Sequence, residues 1–297
     1  MKIATLWHNP AAGDDGQSEK ELIALIEQNG FQCRTIDEQD EALKSHLAHS
    51  DFLVIAGGDG TVRGAVKKLI MPGFDPVSVP VAVLPAGTAN NIGTSLHIRG
   101  SQEEIITSWQ DASPKPVDVG CGVSAQTSYF FLESLGIGLF PKLMEVMKHK
   151  EEEENREDRL DDALETLQQL IPSFPAFHCT IRIHGRTIEG RFLMVAVMNM
   201  PMFGPNLYMA PNADPGDGKL NLLLVSESER EHLAGFVAKR LAGIDVPFIG
   251  QSYLIDSVYL AWKQADAHVD DEVLPQAQVS QLDISAKPGL LTFLVPE

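Results

Sequence analysis

Three short runs of small and polar residues hold a first group of residues in this chain that could do chemistry. GGDGT, Gly57 to Thr61, follows the apolar run LVIA, while NPAAG, Asn9 to Gly13, and PAGTANN, Pro85 to Asn91, follow two other strand-like runs. Glycine at 57, 58 and 60 permits positive φ and lets a ligand reach the main chain without meeting a Cβ, and exposed N–H groups of such a turn can face phosphate oxygens. A carboxylate in that position is repelled by phosphate unless a divalent cation stands between them. Asp59 therefore points to a magnesium nucleotide rather than a bare anion. The alternative is a strand-to-helix turn with the aspartate as a cap. None of the three runs matches GxxxxGK[ST] or GxGxxG, which leaves P-loop and dinucleotide-binding Rossmann readings without their motif.

A second group of candidates is HVDDEVL, His268 to Leu274. A carboxylate within hydrogen-bond reach of an attacking hydroxyl can accept its proton. The segment is strand-like on both sides, so alternation puts Asp270 and Glu272 on one face and Asp271 on the other. Two acids on one face suit a base and a supporting partner; an acidic turn between strands is the alternative. His8 and His268 are isolated and are expected to be packed or surface residues. Cys33, Cys121 and Cys179 are scattered and odd in number, so they signal reduced thiols rather than disulfides or a zinc site. Met198, Met200, Met202 and Met209, with Phe203 and Tyr208, suit either a plastic wall for an acyl chain or ordinary packing.

The elements that must position these groups change character along the chain. Up to about residue 120, strand-like runs (KIATLW, FQCRTI, DFLVIA, PVAVLP) alternate with helix-like ones such as SEKELIALIEQNG, where Leu22, Leu25 and Ile26 share a face. That rhythm predicts a parallel sheet with crossovers, and the polar turns then sit at the carboxyl ends of strands, where open α/β sheets bind ligands. From about residue 123 the runs are mostly strand-like and meet at turns such as His184-Gly185, which predicts antiparallel sheets packed as a β-sandwich. The acidic stretch 151–165 and EREHLAGFVAKRLAG interrupt them as helices. The expected organisation is an α/β nucleotide-binding domain over 1–122, to which the final few residues can return, and a mostly antiparallel β-sandwich substrate domain over 123–297. A cleft near the boundary would suit a ligand.

Composition narrows the function classes. The chain has 297 residues, 44% hydrophobic and 22% charged, as expected of a folded globular protein. Neither a signal-peptide core nor an apolar run long enough to span a bilayer is evident, so the cytoplasm is the expected location. The net charge of −18 argues against a nucleic-acid partner and against strong electrostatic docking on anionic membrane. Much of it is local: residues 151–165 hold nine acids and two arginines. Leu160, Leu164, Leu167, Leu170 and Ile171 recur behind them at helical spacing, as on a helix with one solvated face.

NPAAG, GGDGTV, PAGTANN, PNADPGDGKL and VDDE occur in the order and roughly the spacing of the diacylglycerol kinase catalytic-domain family, which includes diacylglycerol, sphingosine and bacterial lipid kinases. The chain resembles that family over nearly its whole length. GGDGT alone is shared with NAD kinases and phosphofructokinases; the five together are specific to lipid kinases. The resemblance implies that ATP and Mg²⁺ bind between an α/β domain and a β-sandwich domain, and that the γ-phosphate passes to a hydroxyl of a lipid alcohol such as diacylglycerol, reached by transient membrane contact.

Residue by residue, the resemblance implies that Asn9, Pro10, Ala11, Ala12, Gly13, Gly57, Gly58, Asp59, Gly60, Thr61 and Thr88 line the ATP phosphates and that Thr35 reaches the nucleoside. It implies a catalytic role for Asp59 through Mg²⁺. Asp217, with the main-chain carbonyls of Asp214 and Lys219, corresponds to a structural metal site. Asp270 and Glu272 correspond to the catalytic acidic pair, either of which could take the proton. Arg63, Asn91 and Asp271 depart from the family's usual Asn, Asp and Gly. Asn91 removes a carboxylate tied to the magnesium network, and Asp271 would be strained if its φ were positive. Two other functions share parts of the pattern: NAD kinase-like phosphorylation of a soluble substrate, and a catalytically silent nucleotide-binding module.

Overall fold

The computed structural model describes residues 1–8, 18–36, 46–71, 73–151 and 159–296. Contacts divide the chain into two units, Met1–Val117 with Pro288–Glu297, and Asp118–Lys287.

In the first unit β1 (Ile3–His8), α1 (Glu19–Gln28), β2 (Gln32–Ile36), β3 (Phe52–Gly57), α2 (Asp59–Ile70), β4 (Val81–Pro85), α3 (Asn91–Ser95) and α4 (Gln102–Ser108) follow one another, and β5 (Ser113–Val123) leads the chain into the second unit. β1 pairs in parallel with β2 and β3, and β3 with β4. Every residue of β3 is buried, as a central parallel strand requires, which is why FLVIAG is an unbroken small and apolar run rather than an alternating one. Ser18 and Glu21 form a capping box at the start of α1, which buries Leu22 and Ile26 one turn apart. α2 buries Val62, Ala65, Val66, Leu69 and Ile70 on one stripe. Phe31, Phe52 and Trp109 meet edge to face at 5.4–6.0 Å. The returning segment adds a further parallel partner, Phe293 beside Val81.

The second unit continues with β6 (Ser128–Phe131), β7 (Ser134–Gly138), α5 (Leu139–Glu151), α6 (Arg159–Leu170), β8 (Phe177–Ile183), β9 (Arg186–Met198), β10 (Met202–Phe203), β11 (Leu207–Tyr208), β12 (Leu220–Ser226), α7 (Arg230–Leu241), β13 (Gln251–Ile255), β14 (Ser257–Lys263), β15 (Ala267–Val269), β16 (Glu272–Leu274) and β17 (Gln281–Val295), whose last residues belong to the first unit. Its described pairings are antiparallel. β8 and β9 close on His184-Gly185, with φ of 48° and 72°, the two positive values that a type I′ hairpin needs.

Strand alternation in this unit fills two cores. Val195 and Val197 of β9, with Leu222 and Leu224 of β12, enter one core built from strands. Their neighbours Met194, Ala196, Met198, Leu223 and Val225 enter a second, which the helices cover with Leu143, Leu164, Leu167 and Phe236. α6 keeps Asp161 and Glu165 exposed and buries Leu164 and Leu167, the solvated-face arrangement expected of the acidic stretch; residues 152–158 lie outside the described part. Met198, Met200 and Met209 are buried, so that part of the methionine cluster serves packing. None of the described helices is long and apolar enough to cross a membrane.

Candidate active site

The first unit holds one group of candidate residues and the second holds two. In the first, GGDGT spans the end of β3 and the first turn of α2. Gly58 is the N-cap of α2 and provides no side-chain acceptor, while the Thr61 and Val62 N–H groups donate to its carbonyl. A helix N-terminus with a glycine cap and an exposed Gly60 can receive an anion through peptide N–H groups and the helix dipole. The glycines have a second reason. A methyl group built on Gly57 would lie 2.6 Å from the side chain of Thr61 within the same turn. One built on Gly87 would lie 2.5 Å from the Gly58 Cα, so GGDGT and PAGT pack main chain to main chain. Only the tertiary structure shows that contact.

Asp59 links the same two turns. Its Oδ2 accepts the Asn91 N–H and its Oδ1 the Ile92 N–H, each at 2.9 Å, so the carboxylate caps the start of α3 from outside. Asn91 is buried there, and Asn90 holds the turn through Gly87 with a left-handed φ of 51°. Thr88 is exposed on the PAGT turn, and Thr35 is exposed near the end of β2, two strands from β3. Asn9, Pro10, Ala11, Ala12 and Gly13 follow the carboxyl end of β1 but lie outside the described residues.

The acidic segment of the second unit differs from the strand expected through HVDDEVL. β15 stops at Val269, β16 starts at Glu272 directly opposite it, and Asp270-Asp271 form a two-residue turn. Alternation therefore does not carry through, and the shared face assigned to Asp270 and Glu272 is corrected. The φ of 49° falls on Asp270; Asp271 is not among the positive-φ residues, so the strain foreseen at Asp271 does not arise. Aspartate tolerates the left-handed region better than most residues. The turn is fixed from outside the hairpin. Asp270 Oδ2 accepts the Leu132 N–H at 2.9 Å and Oδ1 those of Glu133 and Ser134 at 2.9 and 3.0 Å, while the Asp270 N–H donates to the Ser134 carbonyl at 2.9 Å. Glu272 is exposed.

His268 backs this turn. It is 1% exposed, with Nδ1 3.0 Å from the Asp270 carbonyl and its ring stacked on Phe203 at 5.8 Å. Burial pushes the imidazole down to about 4, against the smaller opposing effect of the Asp270 carbonyl, so it is neutral near pH 7. The isolated histidine is thus a packed one, as expected. Burial pushes Cys179 up to about 12, and burial with the charges of Glu27 and Glu19 pushes Cys33 up to about 11, so neither is a poised nucleophile.

DPGDGK forms turns on its own main chain. Asp217 Oδ1 accepts the Lys219 N–H at 2.8 Å, and the Asp217 N–H donates to the Asp214 carbonyl at 3.3 Å. Among the described residues no cluster of three His, Cys, Asp or Glu side chains could hold a metal, so a cation here would depend on main-chain carbonyls beside Asp217. That oxygen-only donor set fits a hard divalent ion. The residue that sequence reasoning missed is Asp118. The residue is 1% exposed, its Oδ2 accepts the Gly218 N–H at 2.6 Å, and its N–H donates to the Pro215 carbonyl at 2.5 Å. Asn199 Nδ2 also donates to the Asp118 carbonyl, at 2.9 Å. An aspartate in the apolar run VDVGCGV was the available signal, because a carboxylate is rarely buried without partners.

Residues 4–121 match the family model for the diacylglycerol kinase catalytic domain, and residues 145–295 that for the YegS C-terminal NAD kinase beta sandwich-like domain. Diacylglycerol kinase of Bacillus subtilis (strain 168) is 23% identical to this chain over 276 residues, covering 86% of this chain and 83% of that protein. A crystal structure of a diacylglycerol kinase from Bacillus anthracis str. Sterne matches with a TM-score of 0.70 at 17% identity, covering 99% of this chain and 96% of that one. At that identity the likeness concerns the fold.

Proposed function

The chain belongs to the diacylglycerol kinase catalytic-domain family, kinases that transfer phosphate to a lipid alcohol, and from that premise we propose that it moves the γ-phosphate of ATP to a diacylglycerol-like hydroxyl with Mg²⁺ as cofactor. The observation that carries the nucleotide assignment is the α2 N-terminus, capped by glycine without a side-chain acceptor and packed main chain to main chain against the PAGT turn. ATP supplies the transferable group, and Mg²⁺ offsets its charge.

The chain's own residues would divide the work. Gly57, Gly58, Gly60, Thr61 and Thr88, with Asn9 to Gly13, bind and orient the phosphates, and Thr35 meets the nucleoside. Asp59 holds the two turns in register and faces the metal. Asp270 and Glu272 serve the proton. The three main-chain donors on Asp270 suit a positioning role, and exposed Glu272 suits the acceptor of the hydroxyl proton. Asp217 with the Asp214 and Lys219 carbonyls holds a structural cation. In this reading residues 1–122 with the returning C-terminal segment serve the nucleotide, residues 123–297 serve the lipid, and the enzyme works from the cytoplasm by transient membrane contact. No nucleic-acid partner is proposed.

Transfer of label from γ-³²P-ATP to an extracted lipid pool, to NAD, or to neither tests the proposal. Mg²⁺-dependent label in the lipid fraction is expected. Label in NAD, or in neither, would overturn it.

A further inference from the structure

Three of the five large apolar side chains exposed among the described residues lie between residues 244 and 254: Ile244 (50%), Ile249 (68%) and Leu254 (50%). The first two belong to the connection between α7 and β13, and this connection is pinned. Phe248 within it is buried, rests on Phe236 at 5.3 Å and His232 at 5.0 Å, and donates its N–H to the Tyr208 carbonyl at 2.8 Å. His232 Nε2 lies 2.9 Å from the Ile249 carbonyl oxygen. With its neighbours held, Ile249 is turned out to solvent by the structure rather than by a loose end. Leu254 pairs across from Asn221, on the side where Leu223 enters the helix-covered core, so it shares the α7 face of the sheet.

Between α7 and the connection runs a groove of about 430 Å³, lined by Phe236, Val246, Pro247, Phe248 and Ile249 together with polar residues of α7. Gly235 opens its helical wall: a methyl group built there meets nothing within 4 Å. Charge sets the segment apart as well. Residues 230–250 carry Arg230, Lys239 and Arg240 against Glu231 and Asp245, a net +1 on a chain of net −18. Arg240 faces Asp245 at 3.5 Å, and Lys239 is exposed.

Two occupants compete for such a surface. A second protein molecule needs roughly 20–30 residues a side for a stable interface, far more than this groove and its two flanking isoleucines provide. A bilayer needs only a few apolar side chains that enter it and surroundings that do not repel its headgroups. We propose that the α7–β13 connection is the membrane-contact surface of the second unit, with Ile244 and Ile249 entering the interfacial layer of a phospholipid bilayer and Lys239 beside the lipid phosphates. This rests on the lipid-kinase reading in that the acceptor resides in the bilayer.

Sedimentation of the full chain with phosphatidylcholine vesicles containing dioleoylglycerol tests it. The wild type is expected to partition reversibly, with little loss in high salt. Ile244→Asn and Ile249→Asn should each weaken partition about tenfold; Lys239→Glu should change it little on these net-neutral vesicles and weaken it by roughly fivefold at low salt once anionic phospholipid is included. Val123→Asn, at another exposed apolar residue of the unit, should leave partition unchanged, and all variants should keep the wild-type Tm. Wild-type protein that stays in the supernatant, or a double isoleucine variant that sediments like wild type, would overturn the proposal. So would a wild-type dimer on size exclusion that the double variant abolishes, since the occupant would then be a second copy. Transfer from ATP to a water-soluble short-chain diacylglycerol is read in parallel. The double variant should match wild type there, and no transfer by either protein sinks the kinase reading while vesicle partition still decides the surface.

Discussion

Asp59 and Asp270 use their carboxylates in the same way in two differently built regions. Asp59 accepts two peptide N–H groups from the start of α3, 32 and 33 residues away. Asp270 accepts three from the β6–β7 connection and the first residue of β7, 136 to 138 residues away. The first stands in a helical turn among glycines, and the second bends its own backbone to a φ of 49°. In the α/β unit the carboxylate ties together turns that the strand order already brings close. In the antiparallel unit it creates the turn, so the hairpin depends more heavily on one side chain.

Asp270→Asn should sharpen that contrast most. An amide presents one oxygen to three donors and turns its own N–H groups toward them, which should cost about 3 kcal/mol of stability, visible as a lower denaturant midpoint. It should also lower kcat by roughly 10²-fold or more with little change in ATP affinity. The companion Glu272→Gln should lower kcat strongly while leaving stability near wild type. A stable, inactive Asp270→Asn enzyme would break the distinction between the two acids.

The hairpin should show a pH signature of comparable size. The folded pKa of His268, about 4, lies below the unfolded value of about 6.5, so the unfolded chain binds the proton first. Its contribution is therefore fully present above pH 6.5 and lost as pH falls toward 4, about 3 kcal/mol in all. A His268→Gln variant whose stability keeps the full wild-type slope across that window would refute the assignment.

Asp59→Asn should cost less stability, about 1 kcal/mol for a weakened cap, yet reduce ATP-dependent transfer by 10²-fold or more, of the order seen when an electrostatic stabiliser is removed. Undiminished turnover at saturating Mg²⁺ would separate Asp59 from the metal. The smallest effect is expected of Asp271→Gly. Its φ is not positive and its side chain is exposed, so calorimetry should place the change within about 0.5 kcal/mol of wild type.

Features set by neighbours in the chain were legible. The buried run of β3, the helix over SEKELIALIEQNG, the His184-Gly185 turn and the one-sided α6 rest on local spacing, and the structure has them where their residues predict. The departures come from distant partners. HVDDEVL marks its turn only by Asp-Asp, the acidic-turn alternative to a continuous strand, and what holds the bend is a set of peptide N–H groups contributed by Leu132 to Ser134. The contact of Gly58 with Gly87 was silent, because a glycine that makes room for another main chain looks the same in sequence as one that makes room for a ligand. Asp118 went unnoticed because its partners Gly218 and Pro215 lie a hundred residues onward.

The parallel pairing of Phe293 with Val81 has a consequence during synthesis. β4 has β3 on one side, and on the other it waits for a strand that the ribosome delivers only after the whole of Asp118–Lys287. Until then an apolar edge with unpaired peptide groups is open to any passing strand, its own kind included. A nascent chain or truncated fragment lacking Pro288–Val295 should therefore be the aggregation-prone species, and a chaperone that shields that edge would protect the first unit until the segment arrives.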